Sequence, residues 1–174
     1  MQKNFWNSAA MDGLLLALVC IIMTLAKSAI TLGSGLAIVL QIGQVVATIW
    51  MLLYFMKRYG ASQEQYPYGG AFNYGFTVSL CSNIIILAYL LLHYNILFPD
   101  AVTDAVVAME SFMEGFASGY GTDMSLVDTM MKYYHLIAPI SAFLMYTIWA
   151  AIISAILASF AKKETPMFPT EEEA

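Results

Sequence analysis

The chain has 174 residues, of which 60% are hydrophobic and only 11% charged, well under the roughly 25% charge of a soluble domain. Its net charge of −5, its two cysteines and the lack of a basic patch exclude a nucleic-acid-binding surface and a disulfide scaffold. The length fits one domain.

Taken in chain order, four apolar segments stand out: residues 12–26, 36–55, 71–92 and 136–160. A hydrocarbon core ~30 Å thick takes ~20 helical residues at 1.5 Å each. Apolarity is continuous rather than alternating, so helices are expected and barrel strands are not. The first segment is the shortest, bracketed by Asp12 and Lys27. Asp12 is expected in the first helical turn, where the dipole favours a carboxylate. Lys27 is expected in the last turn, with its ammonium reaching the interface. Lys3 and the apolar run after it also resemble a signal peptide, but Asp12 and Lys27 argue for a retained helix.

A short connection with Gly33 and Gly35 implies an antiparallel hairpin of helices one and two. Gln41, Gln44 and Thr48 share one face of helix two. The second connection carries Lys57, Arg58, Glu64, Pro67 and Gly69-Gly70. Tyr54, Tyr59, Tyr66 and Tyr68 around it read as an interfacial aromatic belt. Ser79 and Asn83 share one face of helix three. These five polar residues are the candidates for a pocket or polar path between helices, with interhelical hydrogen bonding the simpler role. Gly43 with Ala47, Gly75 with Ser79, and Ala150, Ser154 and Ala158 are small-residue spacings that permit close helix approach.

The third connection, residues 99–135, reads as an acidic amphipathic helix after Pro99. Asp100, Asp104, Glu110 and Glu114 group on one face; Val102, Val106, Met109, Met113 and Phe116 form the opposite, candidate interaction face. It lies on lipid, caps the helices or meets a protein. The fourth helix is expected to kink near Pro139. Residues 164–174 read as a polar, disordered cytoplasmic tail beside a 1–163 transmembrane domain.

With both termini cytoplasmic, Lys3, Lys57, Arg58, Lys162 and Lys163 lie inside and only Lys27 and Lys132 outside, in keeping with the positive-inside rule. The acidic connection then faces outward. Cys20 and Cys81 fall at membrane depth and act as small apolar residues. His93 and His135 are the only histidines, and His135 with Met130 and Met131 at helical distance raises a copper(I) site, but methionine is a generic filler and no repeated pattern supports it. No catalytic, cofactor or metal residue can be named, so neither an enzyme nor a cofactor is expected.

The run from Tyr68 through Gly75, with Ala71-Phe72 and Gly75 after a basic turn, is followed by Asn95 to Asp100 with Phe98-Pro99-Asp100 at the exit. In this order, with an acidic segment and a last span ending in Lys162-Lys163, the chain resembles the domain of unknown function 4199 family. That resemblance implies a small bacterial integral membrane protein of four helices, over nearly the whole chain. It implies no activity and no site residues. The chain departs from similar sequences in having few lysines in the outer connection.

The expectation is therefore an all-α transmembrane bundle of four helices, with an extracytoplasmic amphipathic connection between helices three and four. The expected location is a bacterial inner membrane. The role expected is that of a non-enzymatic accessory or structural protein. The expected partners are the lipid bilayer and a second copy or another membrane protein, with no nucleic acid. An oligomeric small-solute transporter or channel is the alternative.

Overall fold

The computed structural model describes residues 4–29, 34–97 and 132–163. Among the described residues there are four long helices: α1 (Phe5–Ala29), α2 (Ser34–Ala61), α3 (Tyr68–Leu92) and α4 (Tyr134–Ala161). All four are long and apolar enough to cross a membrane, over Phe5–Lys27, Ile38–Ala61, Tyr68–Leu97 and Tyr134–Ala161. The described residues form no strand, only an isolated antiparallel bridge between Tyr66 and Lys163. The 99–135 connection lies almost wholly outside the described residues, with Val102, Val106, Met109, Met113 and Phe116; so does the 164–174 tail.

The chain divides into two compact units. The first comprises Met1–Asn83 and Thr147–Ala174, so it holds α1, α2, most of α3 and the second half of α4. Its core gathers Ala9 and Leu16 from α1, Leu52, Phe55 and Met56 from α2, Tyr74 and Val78 from α3, and Leu157 and Ala158 from α4. In lipid, helices gain little from hiding apolar surface from one another, so small residues and polar links decide how they meet. Ala9, Gly13 and Ala17, four residues apart on α1, are all buried. A Cβ built on Gly13 would stand 2.7 Å from Cys81 Cβ and 2.8 Å from the Val78 carbonyl oxygen. Hydrogen is thus the only side chain that allows α1 and α3 this approach. On α4, Ala150, Ser154 and Ala158 are buried as their spacing suggested, and Gly75 of α3 lies against Ser154 and Met56. Gly43 behaves otherwise: it is exposed, with nothing within 4 Å of its Cβ position.

The α2–α3 turn is held by its own backbone and by the end of α4. The Ser62 hydroxyl donates to the Tyr59 carbonyl at 2.7 Å, capping α2. The Ala71 N–H donates to the Pro67 carbonyl at 3.0 Å as α3 begins. The Lys163 N–H reaches the Tyr66 carbonyl at 2.9 Å, and the Tyr68 hydroxyl donates to the Ala155 carbonyl at 3.0 Å.

The second unit, Ile84–Tyr146, includes the end of α3 and the start of α4. Here α3 widens into a π-helical turn, His93–Leu97. Buried His93 lies with its Nδ1 3.0 Å from the Tyr89 hydroxyl. Pro139 is buried inside α4, where the missing N–H leaves one helical hydrogen bond unmade.

Candidate functional site

The most informative polar group is Asp12. The sequence pattern put it in the first turn of helix one, but α1 begins at Phe5 and has no acidic residue in its first turn. Seven residues at 1.5 Å carry Asp12 about 10 Å along the helix. It is 1% exposed and ion-paired with Arg58 in the last turn of α2. Its second oxygen accepts a 2.7 Å hydrogen bond from the hydroxyl of Tyr74 on α3. One carboxylate thus ties three helices together, and each oxygen has a donor.

This arrangement answers the cost of burying charge. A carboxylate without partners in an apolar interior costs several kcal/mol, roughly, even after relaxation. Arg58 keeps 40% of its side chain exposed, so it delivers charge to Asp12 without giving up all its own hydration. The guanidinium carbon also lies 5.3 Å from the Phe55 ring centroid and 5.9 Å from that of Tyr54. The rings of Tyr59 and Tyr74 stack with centroids 3.9 Å apart, and Phe5 meets both edge-on at 6.0 and 5.7 Å. The four tyrosines read as one interfacial belt therefore divide. Tyr54 and Tyr68 are exposed, as a belt requires, whereas Tyr59 and Tyr66 belong to the core.

A second polar cluster lies between α1 and α2. Lys27 Nζ donates to Gln41 Oε1 and Gln44 Oε1, both at 2.7 Å. The Thr48 hydroxyl donates to the Gln44 carbonyl of its own helix at 2.8 Å and lies 3.7 Å from Cys20 Sγ. The face shared by Gln41, Gln44 and Thr48 thus meets α1, with Lys27 opposite the two glutamines and Cys20 opposite Thr48. On α3 the Ser79 hydroxyl donates back to the Gly75 carbonyl at 2.9 Å, while Asn83 Nδ2 is buried without a hydrogen-bond partner among the described residues. No hydrogen bond among the described residues joins this α3 pair to the α2 set. The five candidates fall into two separate groups.

A family profile described as protein of unknown function (DUF4199) matches residues 12–163. The chain belongs to this family. The span shared with the DUF4199 family begins at Asp12 and takes in Arg58, Tyr74, Lys27, Gln41 and Gln44. No curated protein and no solved structure matches the chain. Of the residues that carried the DUF4199 resemblance, Ala71 and Gly75 are buried in the first unit. Phe98, Pro99 and Asp100 lie outside the described residues.

The turn beside this site forms a shallow groove of about 240 Å³, bordered by Tyr59, Gln63, Tyr66 and Asn73. Tyr66 hydroxyl and Gln63 Nε2 are buried there without hydrogen-bond partners among the described residues. Burial pushes the Tyr66 phenol above its ordinary range. Sequence reasoning missed the Asp12 cluster because its members stand 46 and 62 residues apart. The available signal was the isolation of Asp12 as the sole acidic residue before Glu64.

Proposed function

We propose that this multi-pass membrane protein is a non-enzymatic accessory protein of a bacterial inner membrane, acting through contact with another membrane protein. The observation that carries the reading is the internal commitment of Asp12: Arg58 and Tyr74 occupy its two oxygens. A catalytic acid or base needs a position open to its substrate. A carboxylate spent on three helices instead fixes a surface for others to meet. The proposed orientation has both termini cytoplasmic and the acidic 99–135 segment outside, presenting Val102, Val106, Met109, Met113 and Phe116 to the partner.

The test is a photoreactive amino acid placed at Val106 or Met109, irradiated in native membranes at natural abundance. One discrete protein adduct, lost when Met113 and Phe116 become aspartate, is the expected result. Adducts to lipid alone would overturn the reading.

One observation favours an oligomeric small-solute transporter: the polar row of Cys20, Lys27, Gln41, Gln44 and Thr48, whose Gln41 is exposed. Solute flux into proteoliposomes that vanishes in a Gln41→Leu, Gln44→Leu variant would decide for transport.

A further inference from the structure

We propose that Lys27, Gln41 and Gln44 form a binding site for the phosphodiester group of an anionic phospholipid. The inference stands whether or not the accessory role holds.

Charge is the first consideration. The sequence has no acidic residue between Asp12 and Glu64, so Lys27 is the only charged side chain from position 13 to position 56. Its two partners in the structure are neutral amide oxygens, each at 2.7 Å. They hold and orient the ammonium but, being neutral, leave its positive charge uncompensated among the described residues. An ammonium has three N–H donors, so one is left over among the described residues.

The amides supply the second consideration. A glutamine whose oxygen is engaged by Lys27 turns its NH₂ to the other side of the amide carbon. Neither Gln41 Nε2 nor Gln44 Nε2 has a hydrogen-bond partner among the described residues. Gln41 is exposed, and Gln44 and Lys27 are half-buried. Because positions 41 and 44 are three apart on one helix, their amides are neighbours. The result is one cationic donor flanked by amide donors, with both amide oxygens already turned to the ammonium. Such a cluster fits an anionic oxygen ligand and repels a cation.

The surroundings select the kind of anion. Ile38, Ile42, Val45 and Val46 flank the glutamines and are exposed on a helix apolar enough to span a membrane. A ligand seated on the donors therefore lies beside an apolar surface suited to acyl chains. Inorganic phosphate shares the headgroup chemistry but gains nothing from that surface. A zwitterionic lipid carries its own ammonium, which competes with Lys27 for the same phosphate.

The experiment is native mass spectrometry of the full chain, released from nanodiscs of phosphatidylglycerol and phosphatidylcholine, with inorganic phosphate as the competitor. The expected result is retention of phosphatidylglycerol over phosphatidylcholine, unaffected by phosphate. Lys27→Met should weaken retention about tenfold, the factor for one charge-assisted hydrogen bond, and Lys27→Arg should preserve it. Gln44→Glu guards against a folding artefact. It gives Lys27 a carboxylate partner across the hairpin, so the melting temperature should hold while retention of phosphatidylglycerol falls. Equal retention by the wild type and Gln44→Glu would overturn the proposal. So would retention without preference between the two lipids, or displacement of the lipid by inorganic phosphate.

Discussion

Replacing Arg58 by alanine is expected to destabilise the protein more than replacing Asp12, although Arg58 is the more exposed partner. The asymmetry comes from what each change leaves behind. Arg58→Ala strands a carboxylate that is 1% exposed and supported only by the Tyr74 hydroxyl. Removing one partner of a buried pair costs about 3–5 kcal/mol. Asp12→Ala releases a guanidinium already 40% exposed, which turns to water at little cost. What remains is the buried Tyr74 hydroxyl without an acceptor, a penalty of about 1–3 kcal/mol. Taking ~4 and ~2 kcal/mol, at ~2–4 °C per kcal/mol for a chain of this size, Tm falls by roughly 12 °C and 6 °C. The double substitution leaves only the Tyr74 penalty, so it should resemble Asp12→Ala and be milder than Arg58→Ala. Cys20 and Cys81 are free and half-buried, so their reaction with a maleimide dye on heating in detergent reports unfolding. Single-variant losses that simply add, within ~0.5 kcal/mol, would refute the pairing. A larger loss for Asp12→Ala than for Arg58→Ala would refute the argument about which charge is stranded.

Other substitutions probe the packing and the turn. Gly13→Ala places a methyl group against the Val78 carbonyl and Cys81, at 2.8 and 2.7 Å, and should cost about 1–3 kcal/mol as overpacking. Gly43→Ala meets nothing within 4 Å and should gain about 0.5–1 kcal/mol from lost chain entropy; thermal melts of the two should move in opposite directions. Tyr66→Phe removes a buried hydroxyl that has no partner and should stabilise by about 1 kcal/mol at neutral pH. Because burial raises the folded-state value of this phenol above the unfolded ~10, its contribution is complete below pH ~10 and lost as pH rises further. Melting curves at pH 8 and 10.5 should therefore show a smaller alkaline loss for Tyr66→Phe than for the wild type.

The spans were legible because continuous apolar runs of twenty or so residues have one solution in lipid. Where a span began was harder to read. Taking Asp12 as a helix start hid the first two turns of α1, and with them the buried stripe of Ala9, Gly13 and Ala17. The same error placed a core carboxylate at the membrane surface. Helical spacing correctly grouped Gln41 with Gln44, since three residues return to one face. Their partner depended on the register of α1 against α2, which no spacing within either helix encodes. Small-residue spacing succeeded on α4 and failed at Gly43, because a permissive surface closes only where a second helix is brought to it. Tyr54 and Tyr68 are exposed, as an interfacial position requires, whereas Tyr59 is drawn inward by ring contacts with both Tyr66 and Tyr74.

The account rests on α1 and α2 crossing the membrane as a hairpin, with the α2–α3 turn returned to the side where the chain begins. A membrane-impermeant maleimide applied to intact spheroplasts tests this directly, using single cysteines at position 31 and position 64 in a background where Cys20 and Cys81 are serine. Labelling at position 31 from outside, with position 64 reactive only after permeabilisation, is the predicted result. Labelling of both positions from outside would contradict it.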